Sequence, residues 1–193
     1  MKTLVTGFEP FDGREINQSA MIARELAELV DADFLELPVT FSGCFQPVED
    51  WLKNNSEASG NSMVFSLGEA PIPDVRMEQI ALNKSHAPGR GDNSGDEPVD
   101  RTLSEGSELA LESDYSPEDV LEFFEKRKEP FKVSYSAGEY VCNCLFWRLL
   151  ERQKQGGFRG MFFHVPVNMD SKLKESIVKR LTVFIKAAKK GEL

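Results

Sequence analysis

The chain has 193 residues, 40% of them hydrophobic and 28% charged, with a formal net charge of −9. That length fits one compact domain, 1–193, which can bury about 70% of its unfolded surface without a disulfide or metal staple. The acidic balance argues against nucleic acid or an anionic membrane as partner, because both select basic surfaces.

The chain opens on a strand pattern at Thr3–Phe8, without the apolar run of a secretory leader. After Asn17, a fair N-cap, Ile22, Leu26, Leu29 and Val30 recur at helical spacing. Asp33–Val39 reads as a buried strand, Gln46–Asn54 as a short helix and Ser62–Leu67 as a third strand. Val75–Asn83 is a further β-like segment, and Pro88–Glu118 is a long, irregular, exposed stretch containing the polar loop "GRGDNSGDEP". Ser116-Pro117-Glu118-Asp119 is a helix start, with a serine cap, proline in the first helical position and acids in the first turn. It leads into Val120, Leu121 and Phe124 before Pro130.

Lys132–Tyr135 is the next strand, followed by a helix over Glu139–Gln153 with Leu145, Leu149 and Leu150 inward. Gly160–Pro166 is the last strand. The final helix, Ser171–Lys189, repeats Leu173, Ile177, Leu181 and Phe184. This alternation predicts an α/β fold: a three-layer α/β/α sandwich around a mostly parallel, twisted sheet. No stretch reaches the roughly 18 apolar residues of a membrane helix. Three cysteines with no framework spacing point to a reducing, cytoplasmic setting.

Cys142 and Cys144 pose the chemical question. Two residues apart on a helix they point about 200° apart, so both cannot face the core. Cys144 precedes Leu145-Phe146-Trp147 and reads as packing. Cys142 lies in the first turn, at the carboxyl edge of a parallel sheet, where free N–H groups and the helix dipole lower a thiol pKa. It is a nucleophile or a small apolar filler. A thiol nucleophile needs a base, and the chain has two histidines. His164 ends the run "GMFFHVPV" at the same edge, whereas His86 lies in "KSHAPGRGDN" and reads as solvated. Glu78 in "RMEQIALN" is either an outward surface acid or the buried partner that orients the imidazole. Asp92, Ser94, Asp96 and Asp100 imitate a calcium loop, but Glu97 and Leu103 occupy the positions that call for glycine and glutamate. Cys142, Cys144 and Cys44 make a poor zinc set.

Five blocks together carry a resemblance: "VTGFEPFDGREIN" (5–17), "ELPVTF" (36–41), "MEQIALN" (77–83), "SYSAGEYVCN" (134–143) and "FFHVPV" (162–167). The sequence resembles the pyroglutamyl peptidase I family of cysteine peptidases. The resemblance implies a triad of Cys142 as nucleophile, His164 as base and then acid, and Glu78 as orienter. Phe8, Phe11, Tyr140 and Val141 would contact the substrate, and Arg90 with the Cys142 backbone would shape the oxyanion region. It implies that no cofactor is needed, that the substrates are peptides with an N-terminal pyroglutamate, and that the chain assembles as a homotetramer or homodimer. The chain also departs from the pattern. The turn "GEAPIPDVR" brings an acid, Glu69, where relatives carry glycines; Gln79 replaces an arginine; the Arg90 loop is longer by one residue; and Glu139 is expected to raise the Cys142 pKa. A thiol amidase of altered acyl specificity and a non-catalytic lactam- or peptide-binding homologue are the alternatives.

Overall fold

A computed structural model describes residues 1–55 and 62–193. Its elements run β1 (Thr3–Phe8), α1 (Gln18–Val30), β2 (Asp33–Leu37), α2 (Gln46–Asn55), β3 (Ser62–Ala70), β4 (Arg76–Glu78), β5 (Ile80–Leu82), β6 (Ala110–Glu112), α3 (Pro117–Glu125), β7 (Lys132–Ser134), α4 (Val141–Gln153), β8 (Phe158–Pro166) and α5 (Ser171–Lys189). Six strands form the central sheet in the order β2-β1-β3-β8-β4-β7. β2, β1, β3 and β8 are mutually parallel, while β4 runs antiparallel to β8 and carries β7 parallel to itself.

The period-2 alternation of strand side chains divides the core in two. Val5, Phe65, Leu67, Met77, Phe163 and Val165 point to one face and meet α1, α3 and α5. Leu4, Val64 and Phe162 point to the other, where α2, α4 and the small β5–β6 sheet cover them. Three helix starts have side-chain caps: Asn17 takes the Ser19 N–H at 3.0 Å, Ser116 that of Asp119 at 3.3 Å and Asp170 that of Leu173 at 2.8 Å. Gly7 admits α1 onto β1, since a Cβ there would stand 2.5 Å from the Ala20 backbone.

Four expectations are corrected. Leu29 is 47% exposed, because the buried stripe of α1 is Ile22, Ala23, Leu26, Ala27 and Val30, whose centre lies about 90° from Leu29. Leu121 is 42% exposed for a similar reason: α3 buries Val120, Phe123 and Phe124 instead. Val75–Asn83 is two strands, because at Gln79 the chain leaves the main sheet and then pairs with β6. Pro88–Glu118 is anchored: it contains β6, buries Asp92, Leu111 and Tyr115, and bonds to neighbouring segments throughout.

Candidate active site

The sheet places five residues on one face by register alone. Gly68 of β3 is the neighbour of His164 on β8. Across β8 on its other side, Arg76 is opposite His164 and Glu78 opposite Phe162. All share the face covered by α4, which brings Cys142 down onto Gly68: a Cβ built on Gly68 would stand 2.8 Å from the Cys142 Sγ and 2.9 Å from Phe162 Cζ. The absent side chain makes room for the sulfur beside the imidazole strand.

His164 is 3% exposed and Glu78 fully buried. The His164 Nδ1 lies 2.7 Å from Glu78 Oε1. Burial pushes the Glu78 carboxyl upward, but the His164 ring bond and charge outweigh it, with Ser134 and Arg76 adding, and the pKa falls below its ordinary value. An ionised carboxylate only accepts, so Nδ1 carries the hydrogen at this contact, and whenever the ring is neutral its lone pair is on Nε2.

α4 begins at Val141, two residues later than its sequence pattern implies, and Cys142 occupies its first turn. Tyr140, the N-cap, makes no side-chain cap bond. The first-turn N–H groups are therefore available to a ligand. The thiol itself is pushed up to about 12, first by burial, then by Glu78 and Glu69, with Arg90 and the helix backbone pulling the other way. Burial and two carboxylates thus work against the lowering expected of a thiol at a helix start. These surroundings favour the neutral thiol over the thiolate. The carboxylates that raise its pKa are Glu78 and Glu69 and not the expected Glu139, whose carboxylate lies 3.4 Å from Lys84 Nζ.

Cys142 and His164 open onto a cavity of about 620 Å³ that is also lined by Phe8, Phe11, Tyr140, Val141 and Arg90. Glu78 lies behind His164 and does not line it. Phe11 and Tyr140 approach at 5.5 Å, Tyr140 meets Phe41 edge-on at 5.2 Å, and the Arg90 guanidinium rests 4.9 Å from the Phe11 ring and 4.8 Å from that of Tyr140. Burial pushes the Tyr140 phenol up to about 12, against the pull of Arg90. It stays neutral and donates to the Gly91 carbonyl at 2.9 Å. Glu69 is locked in place, accepting from Arg14 and from the Gln18 N–H at the start of α1. His86 is half-buried rather than freely solvated: it lines the cavity, and its Nδ1 lies 3.0 Å from Asp100.

Cys44 and Cys144 are 1% and 2% exposed within the α2–α4 core, with the Cys144 thiol donating to the Phe41 carbonyl at 3.4 Å. Asp92, the head of the imitation calcium loop, spends its carboxylate on backbone N–H groups of Phe41, Ser94 and Asp96. Sequence reasoning missed three residues. The strand alternation Arg76-Met77-Glu78 could have placed Arg76 on the face of Glu78. Asn143, buried between α4 and residues 82–84, bonds the backbone of Leu82 and Lys84 at 2.8–2.9 Å. Gly68 gave no sequence signal, because its role is a steric vacancy.

Comparison with known proteins gives this geometry a lineage. The family model described as pyroglutamyl peptidase matches residues 1–187. The chain belongs to the pyroglutamyl peptidase family. A pyrrolidone-carboxylate peptidase of Brachyspira hyodysenteriae is 33% identical, over 97% of this chain and 98% of that protein. One of Thermococcus onnurineus is 32% identical, over 99% and 100%. Among solved structures, pyroglutamyl peptidase I of Bacillus amyloliquefaciens superposes with a TM-score of 0.81 at 25% identity, covering 97% of this chain and 96% of that one. A mutant pyrrolidone carboxyl peptidase of Pyrococcus furiosus gives 0.82 at 26% identity with both chains fully covered. These likenesses extend across the α/β fold and mark this pyroglutamyl peptidase family member as a cysteine peptidase.

Proposed function

We propose that this chain hydrolyses the amide bond that follows an N-terminal pyroglutamyl residue, with Cys142 as nucleophile and His164 and Glu78 as its proton-handling pair. The observation that carries the reading is the Glu78–His164 contact standing behind a cavity whose floor holds Cys142 at an uncapped helix start, in a chain of this family.

With surroundings that favour the neutral thiol, His164 acts as a general base. Nε2 takes the thiol proton as Sγ attacks the carbonyl carbon, and Glu78 supports the imidazolium through Nδ1. The oxyanion is received by the first-turn N–H groups of α4, each worth about 3–4 kcal/mol in comparable sites. Arg90, on the wall nearby, adds positive charge to that region. His164 then gives its proton to the leaving amine, and the acyl group remains as a thioester on Cys142. Water, deprotonated by His164, releases pyroglutamate and restores the thiol. The lactam ring sits against Phe8, Phe11, Tyr140 and Val141, with backbone groups reading its N–H and C=O. A free N-terminal amine would be desolvated there without a partner, which disfavours unblocked peptides.

Two departures from the family pattern are absorbed structurally. Glu69 is engaged by Arg14 and α1, and Glu139 by Lys84. That favours pyroglutamyl specificity over a changed acyl preference. A cytoplasmic, reducing setting suits three unpaired thiols, and assembly into a homo-oligomer follows the resemblance. The deciding assay uses a pyroglutamyl amide with a fluorescent leaving group. The reduced protein turns it over, Cys142→Ala does not, and iodoacetamide labels Cys142 ahead of Cys44 and Cys144. Absence of turnover by the reduced protein, or full turnover by Cys142→Ala, refutes the reading.

A further inference from the structure

We propose that Arg76 is a positioning residue of the hydrolytic site: its guanidinium clamps Glu78 against His164 and biases the imidazole toward the neutral base. The inference rests on the hydrolytic reading above and adds a member to it.

The geometry is a cross-strand triangle. Arg76 and Glu78 lie two apart on β4, so both face α4; His164, directly opposite Arg76 on β8, faces the same way. Arg76 Nε donates to Glu78 Oε1 at 2.6 Å, and that same oxygen accepts from His164 Nδ1 at 2.7 Å. Arg76 is 29% exposed at the cavity wall, while the carboxylate it holds is fully buried.

Two consequences follow. A buried carboxylate without a charged partner would draw a proton onto its neighbour or onto itself. Arg76 supplies that partner permanently, because a guanidinium does not deprotonate. Glu78 can then remain an anion without requiring His164 to be a cation. Protonating His164 would also set two cations on one oxygen, and like charge disfavours that state. The neutral ring with Nε2 free is the form that must accept a proton from a thiol held neutral.

The other charged and titratable groups around His164 are already committed or stand apart. Cys142 comes from α4. Glu69 of β3 is bound by Arg14 and α1. Ser134 lies on β7 beside Glu78. Across the cavity, Glu139 pairs with Lys84, His86 with Asp100, and Arg90 lies over two rings. Among the described residues, Arg76 is the cation that bonds the Glu78–His164 unit.

The test reads the imidazole itself. The chain has two histidines, so NMR titration of the ring signals of the whole protein, assigned with His86→Gln, isolates His164. In Arg76→Gln the His164 midpoint rises by about one pH unit, and the acid limb of kcat/KM on the pyroglutamyl amide moves up with it. Arg76→Lys, which keeps the charge, stays near the unsubstituted protein. Arg76→Met, which keeps the stem packing, carries the same expectation as Arg76→Gln should the latter fail to fold. An unmoved or lowered midpoint in Arg76→Gln or Arg76→Met overturns the proposal, as does an Arg76→Lys shift equal to theirs. A protein that titrates as expected yet fails to hydrolyse the amide would sink the hydrolytic reading while leaving the Arg76–His164 coupling standing.

Discussion

Gly68 contributes no atom to the chemistry, yet the position of the sulfur depends on it. Its Cβ vector points at Cys142 Sγ and Phe162, so an added methyl group must displace one of them, at 2.8 and 2.9 Å respectively. Phe162 is fully buried and packed against Phe146 and the His164 ring, which leaves the sulfur as the group that yields. Gly68→Ala is therefore expected to fold and to lose about 100-fold in kcat/KM, the scale of a 1 Å misplacement of a reacting atom. Circular dichroism and the pyroglutamyl amide assay together check this; activity within a few-fold of the parent would show that the sulfur is not seated by Gly68. At this scale the sequence makes reactive residues legible and makes vacancies invisible. Cys142 and His164 stand out because the chain has three cysteines and two histidines and these two fall by a helix start and a strand end; Glu78, one of 32 acids, stands out only by its apolar flanks and is assigned through the family resemblance. Gly68 is one of 14 glycines, and nothing local marks the one that lies beneath a thiol. The upward push on the Cys142 thiol was also illegible, because burial, Glu78 and Glu69 are brought to it only by the fold.

At the level of elements, the loop that carries Arg90 is set by one carboxylate. Asp92 accepts from the Phe41 N–H at 2.7 Å, the Ser94 N–H at 2.8 Å and hydroxyl at 2.6 Å, and the Asp96 N–H at 3.0 Å. Burial pushes its carboxyl upward, but these bonds outweigh it and hold the group below the usual range. Asn93 extends the tie: its N–H donates to Val39, and its side chain reaches Glu9 and Pro10. The loop is thus fastened to the ends of both β1 and β2, over the ring pair that walls the cavity. Asp92→Ala leaves buried N–H groups unpaired at about 1–3 kcal/mol. Reordering the loop on each binding event then raises KM about tenfold, the equivalent of 1.4 kcal/mol, with kcat little changed. Steady-state kinetics on the amide decide it: an unaltered KM removes this loop from substrate binding. The strand and helix sequence was legible here because apolar periodicity is local. The anchoring of 88–118 was not, since a string of polar residues reads as exposed until its acceptors meet N–H groups fifty residues away.

Across the whole molecule, the strand that bears Arg76 and Glu78 is short, and it is held from the far side of the sheet. Arg180 of α5 is 1% exposed at its side chain and grips Asp74, two residues before β4, through two bonds at 2.5 and 3.0 Å. It also donates to the Pro130 carbonyl at 2.5 Å, two residues before β7. One guanidinium on the α1–α3–α5 side thereby sets the entry of both strands that run against the rest of the sheet. Removing Asp74 alone strands a buried cation, for which the cost of a broken buried pair is about 3–5 kcal/mol. Asp74 is itself 26% exposed, so water reaches the gap and about 2–4 kcal/mol is the better expectation. For a chain of this size that lowers Tm by about 4–16 °C. Asp74→Ala should show this drop in calorimetry together with a loss of activity well below Tm, because β4 drifts and Glu78 no longer meets His164. Asp74→Glu should recover part of both. A Tm and a turnover rate both equal to the parent's would mean that β4 is held by its pairing with β8 and β7 alone, and that the two sides of the sheet are independent.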